Sequence, residues 1–130
     1  MSQYQGAFQL TREAGEDLSS KQFYFVEQQT DGDFIAGTGP TAKIQGIVQN
    51  APTSGKAARV ALLGAGTSKL VVKTSVEGNI VIGNKLTSTS DGRGENCDAG
   101  TDEAFVTALE AASADGTVIE VRLDAAGGYV

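Results

Sequence analysis

The chain has 130 residues, and 16 Asp+Glu against 10 Lys+Arg leave a formal net charge of −6. That length suits one domain with a sizeable core, and that charge excludes phosphate-driven binding to free nucleic acid. With no histidine and a single cysteine, Cys97, the chain has neither a His-based catalytic triad nor an intramolecular disulfide.

Residues 1–20 are polar, with scattered Tyr4, Phe8, Leu10 and Leu18. They are expected to form an N-terminal arm, with one helical turn over Thr11–Asp17, ahead of a single β-rich domain at 21–130. The start lacks the basic and apolar regions of a signal peptide, and no apolar run approaches the ~20 residues of a membrane helix. A soluble acidic protein is therefore expected, without a membrane partner. Lys21–Gln28 is aromatic and β-branched and reads as a strand. Thr30-Asp-Gly-Asp33 turns the chain, and Phe34–Ala36 returns as a short partner. Lys43–Asn50 and Ala57–Leu63 flank the turn Ala51–Gly55, while Lys69–Thr74 and Ile80–Ile82 read as further short strands. Gly78-Asn79 and Gly83-Asn84 read as turns. In Val118–Leu123, Val118, Glu120 and Arg122 alternate with Ile119, Val121 and Leu123, the pattern of a half-buried strand. The Asp115-Gly116 pair before it predicts a tight hairpin turn.

A repeat is visible at an offset of 61 residues, with Lys43–Gly64 aligning on Ala104–Ala125 without gaps. It places Ile44 on Phe105, Val48 on Leu109, Gly55 on Gly116, Val60 on Val121 and Leu62 on Leu123. Asp102 can cap a helix, and the Ala-rich run behind it favours one. The repeat and the Asp-Gly turn favour a strand over 104–111, and a strand is the expectation.

No reacting constellation emerges. The acidic residues Asp91, Glu95, Asp98, Asp102 and Glu103 lack the spacing of a calcium loop, since Arg93 and Asn96 fall where a ligand and the glycine belong. Gly37–Lys43 lacks the ending of a P-loop, and Leu63–Thr67 lacks the third glycine of a dinucleotide loop. No metal, cofactor or catalytic residue is expected. Tyr4, Phe8, Phe23, Tyr24, Phe25 and Phe34 gather the aromatics near the start. Consecutive rings in a strand point to opposite faces, so one face needs a cover, from the same subunit or from another. Tyr4, Phe8, Leu10 and the exposed ring among Phe23, Tyr24 and Phe25 are the candidate interface residues.

An ordered series of motifs carries a resemblance. Gly83-Asn-Lys-Leu-Thr87, Ser90-Asp-Gly-Arg93, Phe105–Ala112 and Asp115–Leu123 follow one another as in the small capsid decoration, or cement, proteins of tailed bacteriophages. The resemblance covers residues 43–123, while 1–42 match no pattern. It implies an all-β fold, a compact antiparallel barrel or sandwich of short strands. It also implies a non-enzymatic virion protein, made in the host cytoplasm and bound to the outer capsid surface. There a homotrimer at three-fold or quasi-three-fold sites would brace major capsid protein subunits. A head-fibre-type module binding carbohydrate or a receptor is the alternative, although such modules usually carry exposed Trp or Tyr platforms and this chain has no Trp.

Overall fold

The computed structural model describes residues 8–64 and 66–129, of which 125–129 are described by their backbone alone. The strands are β1 (Gln9–Glu13), β2 (Phe25–Gln28), β3 (Phe34–Ala36), β4 (Ile44–Val48), β5 (Ala57–Leu62), β6 (Thr67–Val71), β7 (Lys85–Ser88), β8 (Gly94–Asn96), β9 (Glu103–Ala108) and β10 (Val118–Tyr129). No helix occurs among the described residues. The strands form two open five-stranded antiparallel sheets, ordered β1-β5-β4-β2-β3 and β6-β10-β9-β7-β8. The fold is all-β, without a closed barrel.

The two orders are the same order, and the repeat extends through the whole described chain. The hydrogen bonds recur with it. Phe23 N donates to Val48 O as Gly83 N does to Ala108 O, and Gln49 N to Arg59 O as Leu109 N to Glu120 O. Ala14 N reaches Lys56 O as Val72 N reaches Thr117 O, and Gly32 N reaches Gln29 O as Gly92 N reaches Thr89 O. Strand β9 bears out the expected strand over 104–108 but not over 109–111, and the gapless alignment slips there. Val48 corresponds to Ala108 rather than Leu109, because the connection after β9 is one residue longer.

That connection also corrects the expected tight hairpin. Strand β9 ends at Ala108, and Leu109–Thr117 forms a long loop in which Ala112 makes a two-way bridge with Ile80. Ile80–Ile82 is consequently not a strand. Gly78 and Gly83, at φ 88° and 94°, bracket it too closely for more than that one bridge. Thr11–Glu13 belongs to β1, paired along β5, and Ala14 makes a single bridge to Phe34, so 11–17 holds no helical turn. Strand β7 was illegible as a strand because Thr87 and Ser88, although polar, are fully buried, and β8 because it is three residues long with only Gly94 buried.

One apolar cluster joins the halves, with Phe25, Ile44, Ile47 and Ala61 from the first sheet packed among Leu70, Leu86, Phe105, Val106, Val121 and Leu123 of the second. The Phe25 and Phe105 rings meet edge-to-face at 5.7 Å. A second cluster (Ala14, Leu18, Val26, Phe34, Ala36, Val48, Ala58 and Val60) lies within the first half. Backbone bonds cross between halves, from Val71 N to Phe23 O, Phe25 N to Gly92 O and Glu103 N to Pro40 O. Gly92, at φ 93°, sits so close that an added Cβ would lie 2.8 Å from Phe25 O. Phe23 occupies the left-handed region at φ 65° where its counterpart is Gly83. A bulky side chain accepts that conformation only when its surroundings hold it. Here Phe23 packs on the shared core and its carbonyl takes the Val71 bond.

The copies diverge where one is covered. The cross-strand row Phe25, Ile47, Ala61 is buried, whereas the matching row Lys85, Thr107, Arg122 is polar. Asp124 neutralises that row, accepting from Thr107 Oγ1 at 2.6 Å and Arg122 Nε at 3.0 Å, with Lys85 Nζ at 3.4 Å.

Candidate interaction surface

The aromatic residues picked out in the sequence do not share one surface. Phe25 is fully buried in the shared core. Phe23 and Tyr24 are half-buried, and Phe23 packs against that core. Leu10 is half-buried against the first-half cluster, Phe8 is exposed, and Tyr4 lies outside the described residues. Within the expected arm 1–20, β1 is an edge strand, and Ala14 and Leu18 are core residues.

The exposed apolar residues concentrate elsewhere. The loop from Thr74 to Asn84 carries Val76, Val81 and Ile82 at 67%, 60% and 64% exposure, and Leu109, 37% exposed, follows Ala108, whose carbonyl accepts from Gly83 N of the loop. Asn96 holds this loop, its Nδ2 donating to Asn79 O at 2.9 Å and Glu77 O at 3.2 Å. Asn84 in turn donates to Asn96 Oδ1. Asp115 Oδ1 fastens the loop's start by accepting from Thr74 N and Ser75 N, and those bonds hold its carboxyl below the usual range. Beside Val81, a shallow cavity of about 300 Å³ opens between Asn79–Val81 and Ala111–Ser113.

Carboxylates rim the same loop. Glu77 is pushed up from 4.5 chiefly by its hydrogen bond to Asp98 and then by the repulsion of that group. Glu95 is pushed up by burial first and by Glu77 next. Asp91 stands apart from this group, paired with Arg93 at 3.2 Å and hydrogen-bonded to Thr89 Oγ1. Among the described residues no group of carboxylates and thiols is arranged to hold a metal ion. Burial pushes the Cys97 thiol up to about 12, and Asp102, Asp98 and Glu95 add to the shift. It therefore stays protonated at neutral pH and is a poor nucleophile.

A pH dependence follows. Glu77 and Glu95 hold their protons more tightly in the folded protein than at their ordinary value of 4.5. Their contribution to stability is thus greatest at low pH and falls as pH rises from 4.5 through their raised values. Asp91, Asp115 and Asp124, held below 3.8, act oppositely and withdraw stability only as pH falls below that value. In thermal melts, Glu77→Gln is expected to flatten the decline in Tm above pH 4.5. An unchanged slope would show that the Glu77–Asp98 contact has no such effect.

Compared with models of protein families and with curated protein sequences, the chain matches none. Among solved structures it is similar to the N base of head fiber gp8.5 in bacteriophage phi29. The TM-score is 0.61 over 95% of this chain and 98% of that chain, at 16% sequence identity. The likeness is one of fold. It spans both sheets, so the tandem arrangement as a whole is shared.

Sequence reading missed Val81, Ile82, Leu109 and Glu77 as surface features. Ile80–Ile82 reads as a short strand, and Leu109 falls inside the strand expected over 104–111. The available signal was the glycine on each side of 79–82, which leaves too few residues for a paired strand.

Proposed function

We propose that this chain is a non-enzymatic structural protein of a bacteriophage head. Its work is to bind the outer capsid surface as a decoration, or cement, protein and to brace neighbouring major capsid subunits. The observation that supports this most is the likeness in fold, along nearly the full length of both chains, to a protein described as the base of a head fiber. The ordered motifs at 83–123 point the same way. A rigid tandem of sheets offers area rather than chemistry, and area added across subunit boundaries stabilises an assembled shell by mass action. Repeated sites on the shell favour it over free subunits. In this reading the protein takes no cofactor and acts as a homotrimer on the virion.

A second reading, a head-fibre base, is favoured by the description of the same neighbour. The two separate on one experiment, in which purified protein is added to expanded heads lacking it and the heads are heated. A cement protein binds and raises the disruption temperature. A fibre base binds and leaves it unchanged. Absence of binding contradicts both.

A further inference from the structure

The tandem repeat supplies an internal reference for the exposed apolar loop. Tyr24 N donates to Lys21 O as Asn84 N does to Val81 O. The backbone positions of Lys21, Gln22 and Gln49 in the first half are therefore those of Val81, Ile82 and Leu109 in the second. The first copy holds polar residues there, and Gln22 Nε2 donates to Gln49 O. The backbone consequently does not require apolar residues at these sites, and among the described residues polar ones fill the equivalent positions. An apolar cluster exposed where a polar one serves equally marks an interaction site.

Charge decides the occupant. The loop that presents Val81 and Ile82 also carries Glu77, whose carbonyl accepts from Asn96 Nδ2 beside Glu95 on β8, and whose carboxyl hydrogen-bonds Asp98. Pairing this face with itself in a second copy would bring those carboxylates together, in a chain whose net charge is already −6. A partner with basic residues around an apolar centre would relieve the repulsion while covering the side chains. We infer that Val81, Ile82 and Leu109, rimmed by Glu77, Glu95 and Asp98, form the face that docks on a different protein presenting an apolar centre ringed by Lys or Arg. Resting on the function proposed above, that partner is the outer surface of the shell, and the second half of the chain faces it.

The test uses the full chain and expanded heads that lack it. The double variant Ile82→Gln, Leu109→Gln introduces the residues that the first half carries on the same backbone, and its melting temperature reports whether the fold is kept. The expected result is binding at least about ten-fold weaker than wild type, with unchanged Tm and molecular mass. A second variant, Glu77→Gln with Asp98→Asn, removes two charges while keeping side chains that can still hydrogen-bond to each other. Its melting temperature again reports the fold, and it is expected to bind more weakly and to lose much of the salt dependence of wild-type binding. Equal binding by wild type and the Gln variant overturns the inference and leaves the head-binding function standing. Loss of binding accompanied by a fall in molecular mass assigns the face to contacts between copies and also overturns it. Salt dependence unchanged in the charge variant overturns the basic partner. Wild-type protein that does not bind heads overturns the function and this inference together.

Discussion

Removal of residues 1–18 is expected to abolish cooperative unfolding of the first half of the molecule. The deletion takes away β1, whose register runs from Gln9 opposite Ala61 to Glu13 opposite Ala57, and leaves β5 as an uncovered edge. It also removes Ala14 and Leu18, at 1% and 0% exposure, from the cluster that holds Phe34, Val48 and Val60. Loss of a buried leucine side chain alone costs about 2–5 kcal/mol, against a total stability of about 5–15 kcal/mol for a typical domain. The backbone bonds from Ala14 N to Lys56 O, Gly15 N to Phe34 O and Gly55 N to Ala14 O disappear with it. Circular dichroism melts would show a broadened or absent transition. A sharp melt at the wild-type temperature would mean that the cluster closes without this segment. Leu18→Ala in the full chain, expected to lower stability by about 3 kcal/mol, isolates the side chain from the strand.

The second large effect is at Phe25. Its ring is fully buried, meets Phe105 edge-to-face, and lies in the row with Ile47 and Ala61 that packs in the shared core. Phe25→Ala is expected to cost about 3–5 kcal/mol, which for a chain of this size lowers Tm by roughly 10–20 °C. Phe105→Ala should cost a similar amount. The double variant should fall short of the sum by about 0.5–1.5 kcal/mol, because the aromatic contact is lost only once. Calorimetry checks both figures. Additive costs would indicate that the rings act through burial alone.

Most of the fold was legible where alternation and turn chemistry agree. Phe34–Ala36 and Val118–Leu123 were read from their residues, and the Asp-Gly turns at 31–32 and 91–92 are the same turn in both copies. The repeat was visible only over 43–64 because positions that face the shared core in one copy face solvent in the other, as where buried Phe25 corresponds to half-exposed Lys85. Strand β7 escaped because its buried positions include Thr87 and Ser88, whose polar atoms are bonded within the protein, and β8 because it is three residues long and its one buried position is Gly94. The candidate surface was the least legible part. Aromatic content pointed to Phe25, which the intramolecular core consumes. The exposed Val81 and Ile82 carry an apolar signature that sequence alone assigns to the interior. Only the comparison of equivalent backbone positions separates them from core residues.

Imaging expanded heads incubated with saturating protein tests head binding most directly. The expected image shows ordered density on the outer shell at boundaries between capsid subunits, with the second sheet and the Val81–Leu109 face toward the shell. Heads that remain bare at saturation would contradict it.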